Sequence, residues 1–458
     1  MRYACAFDVL LSIGPSCLVR RAYGKVMARR SNGLAGERKT FAAIFADEPS
    51  CHVLRSSFVG SRLRALVLVG RIYAERSRMK TIMDYLATEF ATFEEVPFCA
   101  VDALVLSEFC MVRMEKILPP MREEKTLGGI AAARLRSVFA FQRGFRFKDA
   151  LLAEYYDEMF VGLVPHKIKD LMLALAASPR FRDMHMSECA SVFDEENNTQ
   201  FAALSFSYKN EFAFVGFRGT DCSFTGWRED FDMAYMDRVP SQTGALRYLE
   251  AVAHRLPKTL YVGGHSKGGN LAVYAAAKCD EKTRRRIRRA YCLDAPGFRS
   301  GMFSENERAA VVPLIERYVP RESLIGMLMK HSSPYTVVKS SASGAWQHDP
   351  FTWGIDGFGF EVCDELAQSA RFAHDVLNDW LARYDDGEAR VIVDAMFSAM
   401  RASGAQDFAE IIQPGPKALA LLRDAAKNTD EKTRATLMDA IGDLAEVAAH
   451  RAWYGQKR

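Results

Sequence analysis

The residues Gly264-His265-Ser266-Lys267-Gly268 have the G-x-S-x-G spacing that holds a serine hydroxyl at a sharp reversal of the chain. The run before them, Thr259 to Val262, reads as a strand, and the Ala-rich run after them, Asn270 to Lys278, reads as a helix. Between those elements glycines remove side chains that would collide as the chain turns back. Helix onset just after Ser266 aims backbone N–H groups at developing negative charge. The chemistry such a serine can do is nucleophilic attack on an acyl carbon, through a covalent acyl intermediate. A phosphate-cradling loop would need G-x-x-x-x-G-K-[ST], and Lys267 stands in the wrong order for it. The bland alternative is a glycine turn that serves the fold alone.

Attack by a serine needs a proton acceptor and two donors for the oxyanion. Lys267 supplies one backbone N–H. Phe217-Arg218-Gly219-Thr220-Asp221 ends an expected strand, and Thr220 offers a second N–H and a hydroxyl; the alternative is an ordinary turn with Arg218 in an ion pair. In the chain order serine, acid, histidine, the base lies downstream. His331, His348, His374 and His450 follow Ser266. His348 is favoured because Ser343-Gly344-Ala345-Trp346-Gln347-His348-Asp349-Pro350 is loop sequence; His331 comes second, and the other two fall in helical sequence.

These side chains need a scaffold. Gln200 to Phe206 and Glu211 to Phe217 read as a hairpin, followed by a helix over Gln242 to Arg255, the Ser266 turn with its strand and helix, and a strand Ala290 to Leu293. Alternating short apolar runs and helices predict an α/β fold with a mostly parallel sheet. The expected organisation is an Arg-rich extension over 1–78, poorly ordered or not natively translated, with Met79 as the functional start. A mainly helical segment or cap follows over 79–195, then a catalytic core over 196–362 and a helical segment over 363–458.

Composition narrows the function further. Residues 1–78 carry 12 Arg and 2 Lys against 2 Asp and 3 Glu, so the body of a chain with net charge +4 is mildly acidic. Basic charge lying outside the functional region argues against nucleic-acid binding. The dense run Lys282 to Arg289 is expected to be a solvated face. The 10 cysteines form no C-x-x-C pair, which fits reduced thiols, a cytoplasmic location and no metal site. No apolar run reaches the ~20 residues that span a bilayer.

The same residues resemble a known family. Phe217-Arg218-Gly219-Thr220, Trp227, Asp230 and Gly264-His265-Ser266-Lys267-Gly268 are similar to the class 3 lipases of the α/β-hydrolases. Gly226 to Phe231, His265 to Leu271, Asp294-Ala295-Pro296-Gly297-Phe298 and Gln347 to Phe351 are closer still to the Mbeg1-like family. The resemblance covers Met79 to the C-terminal helices. It implies an α/β-hydrolase, lipase-like fold and a serine hydrolase whose natural substrate the family leaves unsettled. Helical segments before and after the sheet could form an apolar lid, so the expected activity is cofactor-free hydrolysis of carboxylic esters of lipid or acyl type, with peripheral membrane contact admitted. The resemblance also brings two candidate acids. Asp294 closes the strand after the nucleophile strand, where some lipases carry their acid, though it could simply cap the Ala295-Pro296-Gly297 turn. Glu322 lies near the spacing of class 3 lipases. The competing reading is a catalytically degenerate α/β-hydrolase fold that acts as a binding or regulatory module.

Overall fold

A computed structural model describes residues 78–121, 144–412, 420–421, 424–425 and 427–455; the expectations for 1–77 lie outside them. Eight strands form one sheet: β1 (His185–Asp194), β2 (Thr199–Tyr208), β3 (Phe212–Phe217), β4 (Thr259–His265), β5 (Ile287–Leu293), β6 (Ile315–Pro320), β7 (Thr336–Val338) and β8 (Val362–Cys363). They lie side by side in chain order. β1 to β3 pair antiparallel, β3 to β7 pair parallel, and β8 returns antiparallel on β7.

The described helices of seven residues or more are α1 (Ile82–Thr88), α2 (Ala100–Phe109), α3 (Pro165–Ala177), α4 (Phe224–Asp232), α5 (Pro240–Ala253), α6 (Lys267–Lys278), α7 (Glu305–Val311), α8 (Gln368–Leu381), α9 (Asp386–Ala402) and α10 (Glu431–Gly455). Parallel strands added in one direction through right-handed crossovers put their helices on one face of the sheet. On that face Val215, Phe217, Leu260 and Val262 pack with Leu249 and Val252 of α5 and Leu271 and Ala275 of α6. The other face needs a separate cover. Phe206, Phe214, Tyr261 and Tyr291 there meet Leu86 of α1, Leu104 of α2 and Leu171 of α3. Side-chain alternation along β3, Phe214 to one side and Val215 to the other, divides the two cores.

The covering helices are tied by one buried ion pair. Arg180 donates to Asp102 through Nε at 2.8 Å and Nη2 at 2.6 Å, and to the carbonyls of Ala91 at 2.8 Å and Val96 at 3.0 Å. Tyr85 Oη donates to Asp102 at 2.6 Å. Every donor has an acceptor, which is what allows an arginine to lie without exposure.

Two expected boundaries shift. Residues 79–195 are not all helical, since 185–194 is the edge strand β1; its register breaks between Ser187 and Ala190. A bulged, half-exposed edge strand has no clean two-residue alternation to read. Residue 362 does not end the sheet, because β8 straddles it. The basic run is also not one solvated face: Arg286 donates to the carbonyls of Ala253, Leu256, Pro257 and Lys258, closing the end of the α5 loop.

Candidate active site

Ser266 sits at the junction of β4 and α6 with φ +56° and ψ −132°. This region is disfavoured for a residue with a Cβ, and such strain persists only where the surroundings enforce it. The enforcement comes from hydrogen bonds on both sides: Ser266 N donates to Leu293 O at 2.9 Å, and Gly269 N donates to Ser266 O at 3.0 Å. The glycines allow the close approach. A Cβ at Gly264 would run into the backbone of Gly268, and one at Gly268 would run into the carbonyl of Phe217.

His348 Nε2 lies 3.0 Å from Ser266 Oγ, and His348 Nδ1 lies 2.6 Å from Asp294 Oδ2. Asp294 follows β5 with φ +43°, and its side chain is 1% exposed. Its second oxygen accepts from Ser323 Oγ at 2.5 Å and Gly326 N at 3.1 Å. The histidine ring is 30% exposed, so the line opens toward solvent at its middle member.

Glu322, the other candidate acid, is bonded elsewhere. It accepts from Gly344 N and from Gln347 Nε2 at 3.1 Å, and its own N donates to Gln347 Oε1 at 2.8 Å. It braces the loop that carries His348. Trp353 Nε1 donating to Gln347 O at 2.8 Å and Lys167 Nζ donating to Asp349 Oδ2 at 2.6 Å brace the same loop. His331 is half-buried beside Arg317 and the carbonyls of Gly326 and Leu328, and is pushed down to about 3 mainly by desolvation of its ring.

The Thr220 loop lies against the serine turn: a Cβ on Gly219 would stand 3.0 Å from His265 O and 3.7 Å from Ser266 Cβ. Arg218 anchors the loop, donating to Cys110 O at 2.6 Å, Val112 O at 2.9 Å and Glu115 at 3.0 Å. The Thr220 hydroxyl, expected as a second donor, instead gives its proton to Asp230 Oδ2 at 2.5 Å, since a carboxylate is the stronger acceptor. Only the Thr220 N–H remains for an oxyanion. Asp230 is pushed up to about 6 by burial, against the opposing pull of Lys267 and the Thr220 hydroxyl.

The Lys267 side chain turns inward. Its Nζ donates to Gln200 O at 2.9 Å, Gln200 Oε1 at 2.8 Å and Glu229 Oε2 at 3.1 Å, tying the start of α6 to β2 and α4. Gln200 and Glu229 were not singled out in the sequence, although Glu229 lies in the Gly226 to Phe231 match. Glu108 and His265 were missed as a pair: Glu108 Oε1 is 3.1 Å from His265 Nδ1. A lone carboxyl in the apolar run from Phe98 to Phe109 was the available signal, because a buried acid needs a partner.

Residues 175–398 match the family model described as Mbeg1-like. That match spans β1 to most of α9 and includes Thr220, Ser266, Asp294 and His348. With its mostly parallel sheet, flanking helices and strand–serine–helix turn, the chain has an α/β-hydrolase fold. Among solved structures, M37 lipase is 13% identical with a TM-score of 0.30, over 50% of this chain and 68% of that one. Rhizomucor miehei lipase in its native propeptide complex is 14% identical with a TM-score of 0.26, over 53% of this chain and 84% of that one. Likenesses this distant carry no functional argument. Among curated proteins nothing matches. No described helix is long and apolar enough to cross a membrane.

Proposed function

We propose that the protein is a serine hydrolase of carboxylic esters with lipid or acyl substrates. The observation that carries this reading is the unbroken line from Ser266 Oγ through His348, at 3.0 Å, to Asp294, at 2.6 Å. Ser266 Oγ attacks the ester carbonyl while His348 Nε2 takes its proton. Asp294 holds Nδ1–H and offsets the charge of the imidazolium. The N–H groups of Thr220 and Lys267 receive the oxyanion. His348 then protonates the departing alcohol, and water activated by the same ring releases the acid.

The Thr220 loop is backed by an apolar cluster. The next helix, α4, presents Phe224, Trp227 and Phe231 to Val393 and Phe397 of α9, and Phe408 stacks on Trp227 with centroids 4.0 Å apart. Trp346, two residues before His348, is 56% exposed, which supports contact with an ester at a lipid surface.

The test is covalent labelling by a fluorophosphonate probe together with turnover of p-nitrophenyl esters. Wild type should react at Ser266, and Ser266→Ala should lose turnover by about 10⁵-fold. An unlabelled wild type, or equal labelling of the Ala variant, overturns the reading.

A further inference from the structure

One buried acid beside the site has no part in the steps above. Glu108 lies in the last turn of α2, all of whose residues are buried, and is itself 4% exposed. It meets His265 at 3.1 Å, and the His265 ring lies against the His348 ring with centroids 4.5 Å apart and planes at 38°. The other charged groups facing Glu108 are His348, Asp349 and Lys167; those facing His265 are His348, Asp294 and Asp349. Lys167 and Asp349 pair with each other at 2.6 Å, so between them they bring little net charge.

Burial pushes Glu108 up to about 8 and His265 down to about 3. Near neutral pH the couple is therefore a carboxylic acid beside a neutral imidazole. Raising the pH releases the Glu108 proton to solvent. His265 stays neutral, and the charge of the Glu108 carboxylate, 3.1 Å from its Nδ1, then lies on the far side of the His265 ring from His348.

We propose that Glu108, acting through His265, is a positioning residue for His348, and that its ionisation raises the reactivity of Ser266. The proposal rests on the serine hydrolase reading. When Ser266 gives up its proton, His348 becomes positive, and Asp294 supplies one negative charge at Nδ1. Ionised Glu108 adds a second, across the His265 ring. Across one intervening ring, in a medium of effective dielectric ~20 and with solvent reducing the effect at the partly exposed His348, the gain is on the order of tenfold in rate.

The experiment is the rate of fluorophosphonate labelling of Ser266 from pH 5 to 10, run alongside ring NMR titration of the histidines in the full chain. Wild type should show a further rise of about tenfold near pH 8, with the His265 ring signals moving at the same pH. Glu108→Gln should lose both, and Glu108→Asp should restore a step at a displaced pH. A wild-type profile with no rise near pH 8, or a rise that survives in Glu108→Gln, overturns the proposal. Should wild type label at no pH, the hydrolase reading fails, while the His265 signals still decide the coupling: a ring that does not shift near pH 8 refutes it. The wild-type titration decides in the same way if the Gln variant does not fold.

Discussion

Ser266 and Asp294 share a backbone trait: both are non-glycine residues with positive φ, +56° and +43°. Strain of about 1–3 kcal/mol at each is held by the sheet beneath them, and it turns both side chains toward His348. Substitution at Asp294 and at Glu322 separates the two acids. Asp294→Asn should lower ester turnover by about 10⁴-fold, and Glu322→Gln, which loosens only the loop brace, by less than about tenfold, both read as kcat/KM. Glu108 makes a pH prediction for stability. Its folded carboxyl is pushed up to about 8 from an ordinary 4.5, so between those values the folded state binds the extra proton. The stabilisation is complete below about pH 4.5 and is lost as pH rises through 8. Urea unfolding at pH 5 and pH 9 should show wild type losing a few kcal/mol more than Glu108→Gln over that interval.

At the scale of elements, the site depends on how closely α6 approaches β3 and β4. Gly268→Ala would drive a methyl into the Phe217 carbonyl, and relief requires α6 to move away from the Thr220 loop. The expected outcome is a loss of at least about 100-fold in labelling rate with the fold retained, checked by circular dichroism. Arg180 is the corresponding test for the N-terminal helices. Arg180→Met leaves Asp102 buried without its cation, and unfolding should show a cost of about 3–5 kcal/mol. The strand, turn and helix around Ser266 were legible because they are encoded by adjacent residues. β1 was not: its bulge and half-exposed edge erase the periodicity from which strands are read.

Across the whole molecule, the one-directional winding of β3 to β7 explains why residues ahead of the sheet are required. Crossover helices cover one face, and α1 to α3 cover the other, burying Phe206, Phe214, Tyr261 and Tyr291. A fragment cut at the expected core boundary, 196–362, would lack β1 and expose that aromatic face. It should be insoluble or fail to unfold cooperatively, whereas residues 79–458 should melt in a cooperative transition, as calorimetry would show.

The sequence by itself determined the serine turn, the hairpin and parallel strands, and a short slate of partners, because each depends on residues within a few positions of one another. Only the tertiary structure set Asp294 rather than Glu322 beside His348, turned the Thr220 hydroxyl to Asp230, and brought Glu108 against His265. Contacts between residues 54 and 82 positions apart, as in the His348 bonds to Asp294 and Ser266, have no local signature. They exist where strand ends converge at one edge of the sheet, and that convergence follows from strand order, which no short stretch of the chain contains.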